Sequence, residues 1–181
     1  MKEARLLLTM FLTMVIVTVM SCAEANYPAT MENGNLVIVD GSMGSGQYAD
    51  RSSVAVQRYE PPYYQIAINV VSIRFSDDYW RTHNTYVGGP YKISNVRTAC
   101  FRYNWDRKMV SYLHRDGVWR DWNINRDNSH ADGNPFVPNT AETAFVSAYN
   151  MRFFNNTMGY SPISKRKYRV ITEDFYRQLG I

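Results

Sequence analysis

The chain has 181 residues, a formal net charge of +4, and 14 tyrosines beside 8 phenylalanines and 4 tryptophans. So small a positive charge permits attraction to anionic glycans, lipids or nucleic acid without demanding it. With 2 cysteines in the whole chain, a domain stapled by several disulfides is excluded.

Lys2 and Arg5 precede the apolar run Leu6–Met20, which is broken only by Thr9, Thr13 and Thr18. A helix spanning a bilayer needs about 20 apolar residues, so this run suits a signal-peptide core rather than an anchor. Ala23 and Ala25 then supply the small residues that a signal peptidase accepts, which predicts a signal peptide over 1–25 and a mature chain from Asn26. The alternative is a lipobox, Val19-Met20-Ser21-Cys22, with Cys22 as the lipidated residue. Either route predicts a secreted or cell-envelope protein, in the periplasm or on the cell surface. It would touch membrane only through the signal or a lipid on Cys22. Cleavage after Ala25 leaves Cys100 as the one remaining thiol, so an intramolecular disulfide is not expected.

Residues 26–35 are polar and turn-rich and read as a flexible leader. Leu36–Val39 reads as a first strand, Gly41–Gly46 as a flexible loop, and Tyr48–Gln57 as a segment holding a second strand. The strongest strand is Tyr64–Phe75. Its apolar residues fall on Tyr64, Ile66, Ile68 and Val70, then change parity to Val71, Ile73 and Phe75. A β-bulge or burial on both faces produces such a switch, and the sequence leaves both open.

Thr98–Tyr103, Lys108–Arg115 and Val118–Ile124 read as a three-stranded meander. Asp116-Gly117 predicts a two-residue type I′ turn, which would set Leu113 opposite Arg120 and Ser111 opposite Trp122. Residues 125–138 read as loop. A helix follows, with Asn139 as N-cap, Glu142 as its capping-box partner, and Ala141, Ala144, Phe145, Ala148 and Tyr149 at helical spacing; it is expected to run through Phe153. A short helix is expected over Thr172–Leu179, capped by Thr172. The fold class is therefore α+β: one domain over 36–181, with a mostly antiparallel sheet of five to seven strands and a C-terminal helix packed on one face.

Few residues carry chemistry. Gly41-x-x-Gly44-x-Gly46 lacks the Lys-Ser/Thr ending of a phosphate loop. The stretch Asn128-x-His130-x-Asp132-Gly133 has Asn where a calcium loop needs Asp, and Asn139 where it needs a bidentate Glu. His83, His114 and His130 have no metal-ligand spacing. No metal site and no cofactor are expected. Cys100 and His114 could be paired as nucleophile and base, but Cys100 falls mid-strand, away from the helix ends or electropositive turns that activate thiols, so a structural thiol is expected. Asp77, Asp78 and Asp121 are the acids that a small hydrolase would draw on.

The basic-aromatic stretch offers more. Arg97, Arg102, Arg107, Lys108, Arg115, Arg120 and Arg126 interleave with Tyr103, Trp105, Tyr112, Trp119 and Trp122. Such a stretch makes either a polyanion surface or simply a sheet with one buried and one solvated face. The turn residues Trp105, Arg107 and Lys108 are the candidate ligand-binding residues, because a turn at a sheet's end projects outward. Lys165-Arg166-Lys167-Tyr168-Arg169 reads as a solvated linker.

Tyr48-Ala49-Asp50-Arg51-Ser52-Ser53-Val54 resembles an early strand of the surface-adhesin-E-like proteins, small exported bacterial domains. The later order is similar too: Cys100 on a strand, a charged hairpin, then Asp116-Gly117-Val118-Trp119-Arg120-Asp121-Trp122. The resemblance implies an antiparallel-sheet domain at the cell surface, in some members binding host matrix proteins. The second cysteine usual near the C-terminus of those proteins is missing here. The expectation is a non-enzymatic, adhesin-like binding domain whose partner is an anionic glycan or a host or envelope protein, with no nucleic acid; a small secreted hydrolase is the alternative.

Overall fold

The computed structural model describes residues 26–124, 136–161 and 165–181. The expected signal segment with Ala23, Ala25 and Cys22, and the stretch with Asn128, His130 and Asp132, lie outside the described residues. In chain order the elements are β1 (Thr30–Met31), β2 (Leu36–Ser42), β3 (Ser45–Glu60), β4 (Tyr63–Phe75), α1 (Asp77–His83), β5 (Tyr91–Asn104), β6 (Met109–Leu113), β7 (Trp119–Asp121), α2 (Phe136–Tyr149), β8 (Met158–Ser161), β9 (Arg166–Arg169) and α3 (Glu173–Leu179). Strands β1 to β7 form one antiparallel sheet in sequence order, and β8 and β9 form a separate two-stranded hairpin. The fold is α+β and mostly β.

The parity switch in β4 comes from burial on both faces. Ile66, Ile68 and Val70 join the larger core under α2, whereas Val71, Ile73 and Phe75 join a second cluster with Leu36, Tyr48 and Tyr86. β4 itself adds no extra residue. The irregularities sit on its partners, between Asp50 and Ala55 and near Gln57 on β3, and at Ser94 on β5. The second cluster is closed by Trp80 of α1 and by Tyr27, which stacks on Tyr86 with ring centroids 5.0 Å apart. Residues 26–35 are therefore not loose. Tyr27 accepts from the Gly44 N–H, and Thr30 and Met31 pair with β2.

Two turns depart from expectation. Gly41–Gly46 is no flexible loop: β2 and β3 pair through Ser42 and Ser45, and Met43 and Gly44 both hold positive φ, the signature of a type I′ hairpin. At Asp116-Gly117 the loop is one residue longer than expected. The His114 N–H donates to the Val118 carbonyl and Gly117 takes φ 81°, so the hairpin has three loop residues with glycine at its left-handed position. The pairs become Leu113 with Trp119, Tyr112 with Arg120 and Ser111 with Asp121. That one-residue difference exchanges the faces of β7 relative to the expected register.

Helix α2 packs on the sheet, and Phe153, Phe154, Val170, Ile171, Phe175 and Tyr176 pack with it in the same core. The wide burial explains why Thr140, Glu142 and Thr143 are as buried as Ala144 and Phe145. Asn139 lies inside the helix rather than capping it, and its side-chain amide donates to the Val39 carbonyl. The helix ends at Tyr149, not past Phe153, because Asn150 adopts φ 53° there. α1 was not foreseen, although Ser76 caps it by accepting from the Tyr79 N–H. α3 starts as expected, with the Thr172 hydroxyl accepting from the Phe175 N–H. Of the basic run at 165–169, Arg166–Arg169 form strand β9 rather than a linker.

Candidate functional site

The expected recognition turn forms, and its tryptophan packs against the core. Residues 105–108 do form the β5–β6 turn. Trp105, however, is only half exposed: its ring stacks on Phe145 at 5.5 Å and meets Phe153 edge-on at 5.7 Å. The Lys108 ammonium lies 3.2 Å from the centre of the Trp105 ring, held there by a left-handed backbone at φ 51°. Burial lowers the Lys108 pKa, while the Glu142 charge opposes that shift. Of the three residues, Arg107 alone is exposed. The premise that a tryptophan in this turn has no core to fill is therefore corrected.

Behind that turn lies Glu142, a buried carboxylate. It accepts from the Tyr176 hydroxyl at 2.8 Å and from the Phe154 N–H at 3.1 Å. Burial pushes its pKa up to about 7, against the lowering effect of these hydrogen bonds and of Lys108. Because it has no exposed surface, Glu142 cannot meet a ligand. Its chemistry is to tie α2, the 153–154 turn and α3 together.

The acids proposed for hydrolysis are not assembled. Asp77 pairs with Arg74, Asp78 with Arg81, and Asp121 accepts from the Ser111 hydroxyl. Among the described residues no three His, Cys, Asp or Glu side chains are grouped to hold a metal ion.

One concave feature does collect sequence-flagged residues. β6 pairs with β5 only from Phe101 to Asn104. Beyond Phe101 the two chains part, and a cleft of about 750 Å³ opens between them. One wall is β5 from Asn95 to Phe101, including Arg97 and Cys100. The other is Tyr112 to Arg115, and Phe136 and Val137 of α2 close the end. Among the described residues no carboxylate lines it.

Arg97 and Arg115 both line the cleft. Arg97 lies over the Phe136 ring, 4.6 Å from its centre. Burial lowers the Arg97 pKa, and the Arg115 charge lowers it further. Among the described residues neither has an acidic partner. One cation over an aromatic ring and a second lining the same cleft favour a ligand that brings negative charge and a flat or extended body.

Cys100 and His114 line this same cleft, but among the described residues no hydrogen bond links them. His114 instead has its Nδ1 atom 3.0 Å from Asp116. Burial pushes the Cys100 thiol up, the opposite of what a nucleophile needs. Arg97 and Arg115 belonged to the basic-aromatic stretch, whereas Phe136 and Val137 fell in the expected loop. Their contact with β5 spans some forty positions, which no local spacing announces.

No family model, no curated protein and no solved structure matches this chain. Among the described residues no helix is long and apolar enough to cross a membrane.

Proposed function

We propose that this chain is an exported envelope or cell-surface domain that binds an anionic partner, glycan or protein, in the cleft between β5 and the β6–β7 hairpin. The observation that carries this reading is the pair Arg97 and Arg115, which both line a cleft with no acidic side chain among its described lining residues, Arg97 lying over Phe136. Holding two like charges near one another costs free energy, and an anion bridging them recovers it. The export half of the proposal rests on the segment Lys2 to Ala25. The likeness of Tyr48–Val54 and Asp116–Trp122 to the surface-adhesin-E-like domains points the same way.

The test is binding of purified protein to two polyanions, a heparin tetrasaccharide and polyglutamate, as a function of salt. At least one should bind, weakening as salt rises, and Arg97→Ala with Arg115→Ala should abolish it while leaving the melting temperature in place. Absence of binding to both, or binding indifferent to the double substitution, refutes the cleft. For export, the N-terminus of the protein made in its own host should be Asn26 or a lipidated Cys22. An intact Met1 on the mature protein would refute it.

A further inference from the structure

Resting on the cleft reading, we propose that the partner is an extended acidic polypeptide segment that adds to the sheet as a further strand along the free edge of β5, from Tyr91 to Cys100. The edge follows from the ladder. The Trp105 N–H donates to the Pro62 carbonyl at 2.8 Å, and residues along an antiparallel pair alternate between bonded and non-bonded positions. Counted along the shared register, Tyr103, Phe101, Ala99 and Arg97 turn their backbone groups toward β4. Arg102, Cys100, Thr98 and Val96 turn theirs away.

Arg102 finds Ser111 of β6, and that pairing stops at Phe101. Cys100, Thr98 and Val96 therefore present N–H and C=O groups to the open side. Beyond the extra residue Ser94 the alternation is set again by the Ser76 N–H, which donates to the Pro90 carbonyl. Ile93 and Tyr91 then face the same open side. Among the described residues no strand pairs with this edge.

Its side chains suit a peptide rather than a sugar polymer. Ile93 and Val96, 59% and 53% exposed, present β-branched side chains beside the edge, ready to pack on an added strand. Arg97 and Arg115 supply the charge preference at its cleft end. Main-chain hydrogen bonds give affinity in strand addition, and side-chain contacts give selectivity. Native sheets blunt free edges with charge, proline, a bulge or a covering segment. Along Tyr91–Cys100 such features are Lys92, the extra residue Ser94 and Arg97, and within Asn95–Cys100 only Arg97, whose guanidinium lies over Phe136.

The experiment titrates the protein with a capped peptide of alternating valine and glutamate, about eight residues long to match an ordinary strand, and in parallel with the heparin tetrasaccharide. Val96→Pro removes an outward N–H without touching the β4 ladder. The peptide should bind, and Val96→Pro should weaken it by about tenfold or more without moving the melting temperature. Amide exchange at Val96, Thr98 and Cys100 in the unsubstituted protein should slow when the peptide is added, which decides the matter even where the proline variant does not fold. Peptide binding that survives Val96→Pro in a folded protein, or leaves those amides unprotected, overturns strand addition. Heparin binding without peptide binding overturns it while the cleft reading stands, and failure of both ligands removes both. Edge amides already protected in the free protein, or a dimer dispersed by Val96→Pro, would show the edge occupied by this chain itself and also overturn the proposal.

Discussion

The two halves of β5 are one strand with two fates. From Phe101 to Asn104 it is flanked by β4 and β6, and Phe101 and Tyr103 are almost wholly buried, with the Tyr103 hydroxyl donating to the Ala141 carbonyl of α2. From Tyr91 to Cys100 it keeps β4 on one side and, among the described residues, no paired strand on the other, and Ile93 and Val96 are exposed. Both halves carry residues that favour strands. What covers a strand, and not its composition, decides whether its apolar side chains hold the fold or wait for a partner. The covered half should therefore govern stability and leave binding alone, and the open half should do the reverse.

The largest effect is expected at Phe145, whose ring meets Tyr64, Tyr103, Trp105, Tyr149 and Phe153 over the covered half. Phe145→Ala should cost about 3–5 kcal/mol in denaturant unfolding. A loss below about 1 kcal/mol would mean that this aromatic cluster does not hold α2 to the sheet.

Glu142 gives the covered half a pH dependence. Its pKa is raised from 4.5 to about 7, so between those values the folded state holds a proton that the unfolded chain has released. Stability from this group is full below 4.5, falls as pH rises toward 7, and is level above it. The span is about 3 kcal/mol, at about 1.4 kcal/mol per pKa unit. Glu142→Gln should flatten the curve of unfolding free energy across that window. Parallel curves for the two proteins would place the titrating group elsewhere.

Trp105→Ala should destabilise by about 1–3 kcal/mol, since a half-buried ring loses part of its contact with Phe145 and Phe153. An unchanged melting temperature would restore Trp105 to an outward-facing role. In the open half, Ile93→Ser should shift stability by no more than about 0.5 kcal/mol. A larger loss would show that edge to be covered.

How far the sequence reached follows the same division. The main strands between 36 and 124, a helix in the 140s and the Thr172 cap were legible because they rest on local periodicity and capping chemistry. The register of the β6–β7 hairpin was not, because Asp-Gly serves a two-residue turn and a three-residue loop equally well. Glu142 fitted a capping box by spacing alone; that it is buried depends on Tyr176 and Phe154, brought from distant parts of the chain. Arg97 and Arg115 stood out as part of a basic run, but only the fold separates them from Arg102, whose guanidinium lies over Trp119, and from Arg120, which pairs with Asp116.

The central claim is that the Arg97–Arg115 cleft binds an anion, and calorimetric titration of the protein with acidic peptide and heparin tetrasaccharide tests it most directly. The account predicts saturable, salt-sensitive heat from at least one of them, lost in the Arg97→Ala, Arg115→Ala protein at an unchanged melting temperature. Equal heat from the substituted protein, or none from the original, would contradict it.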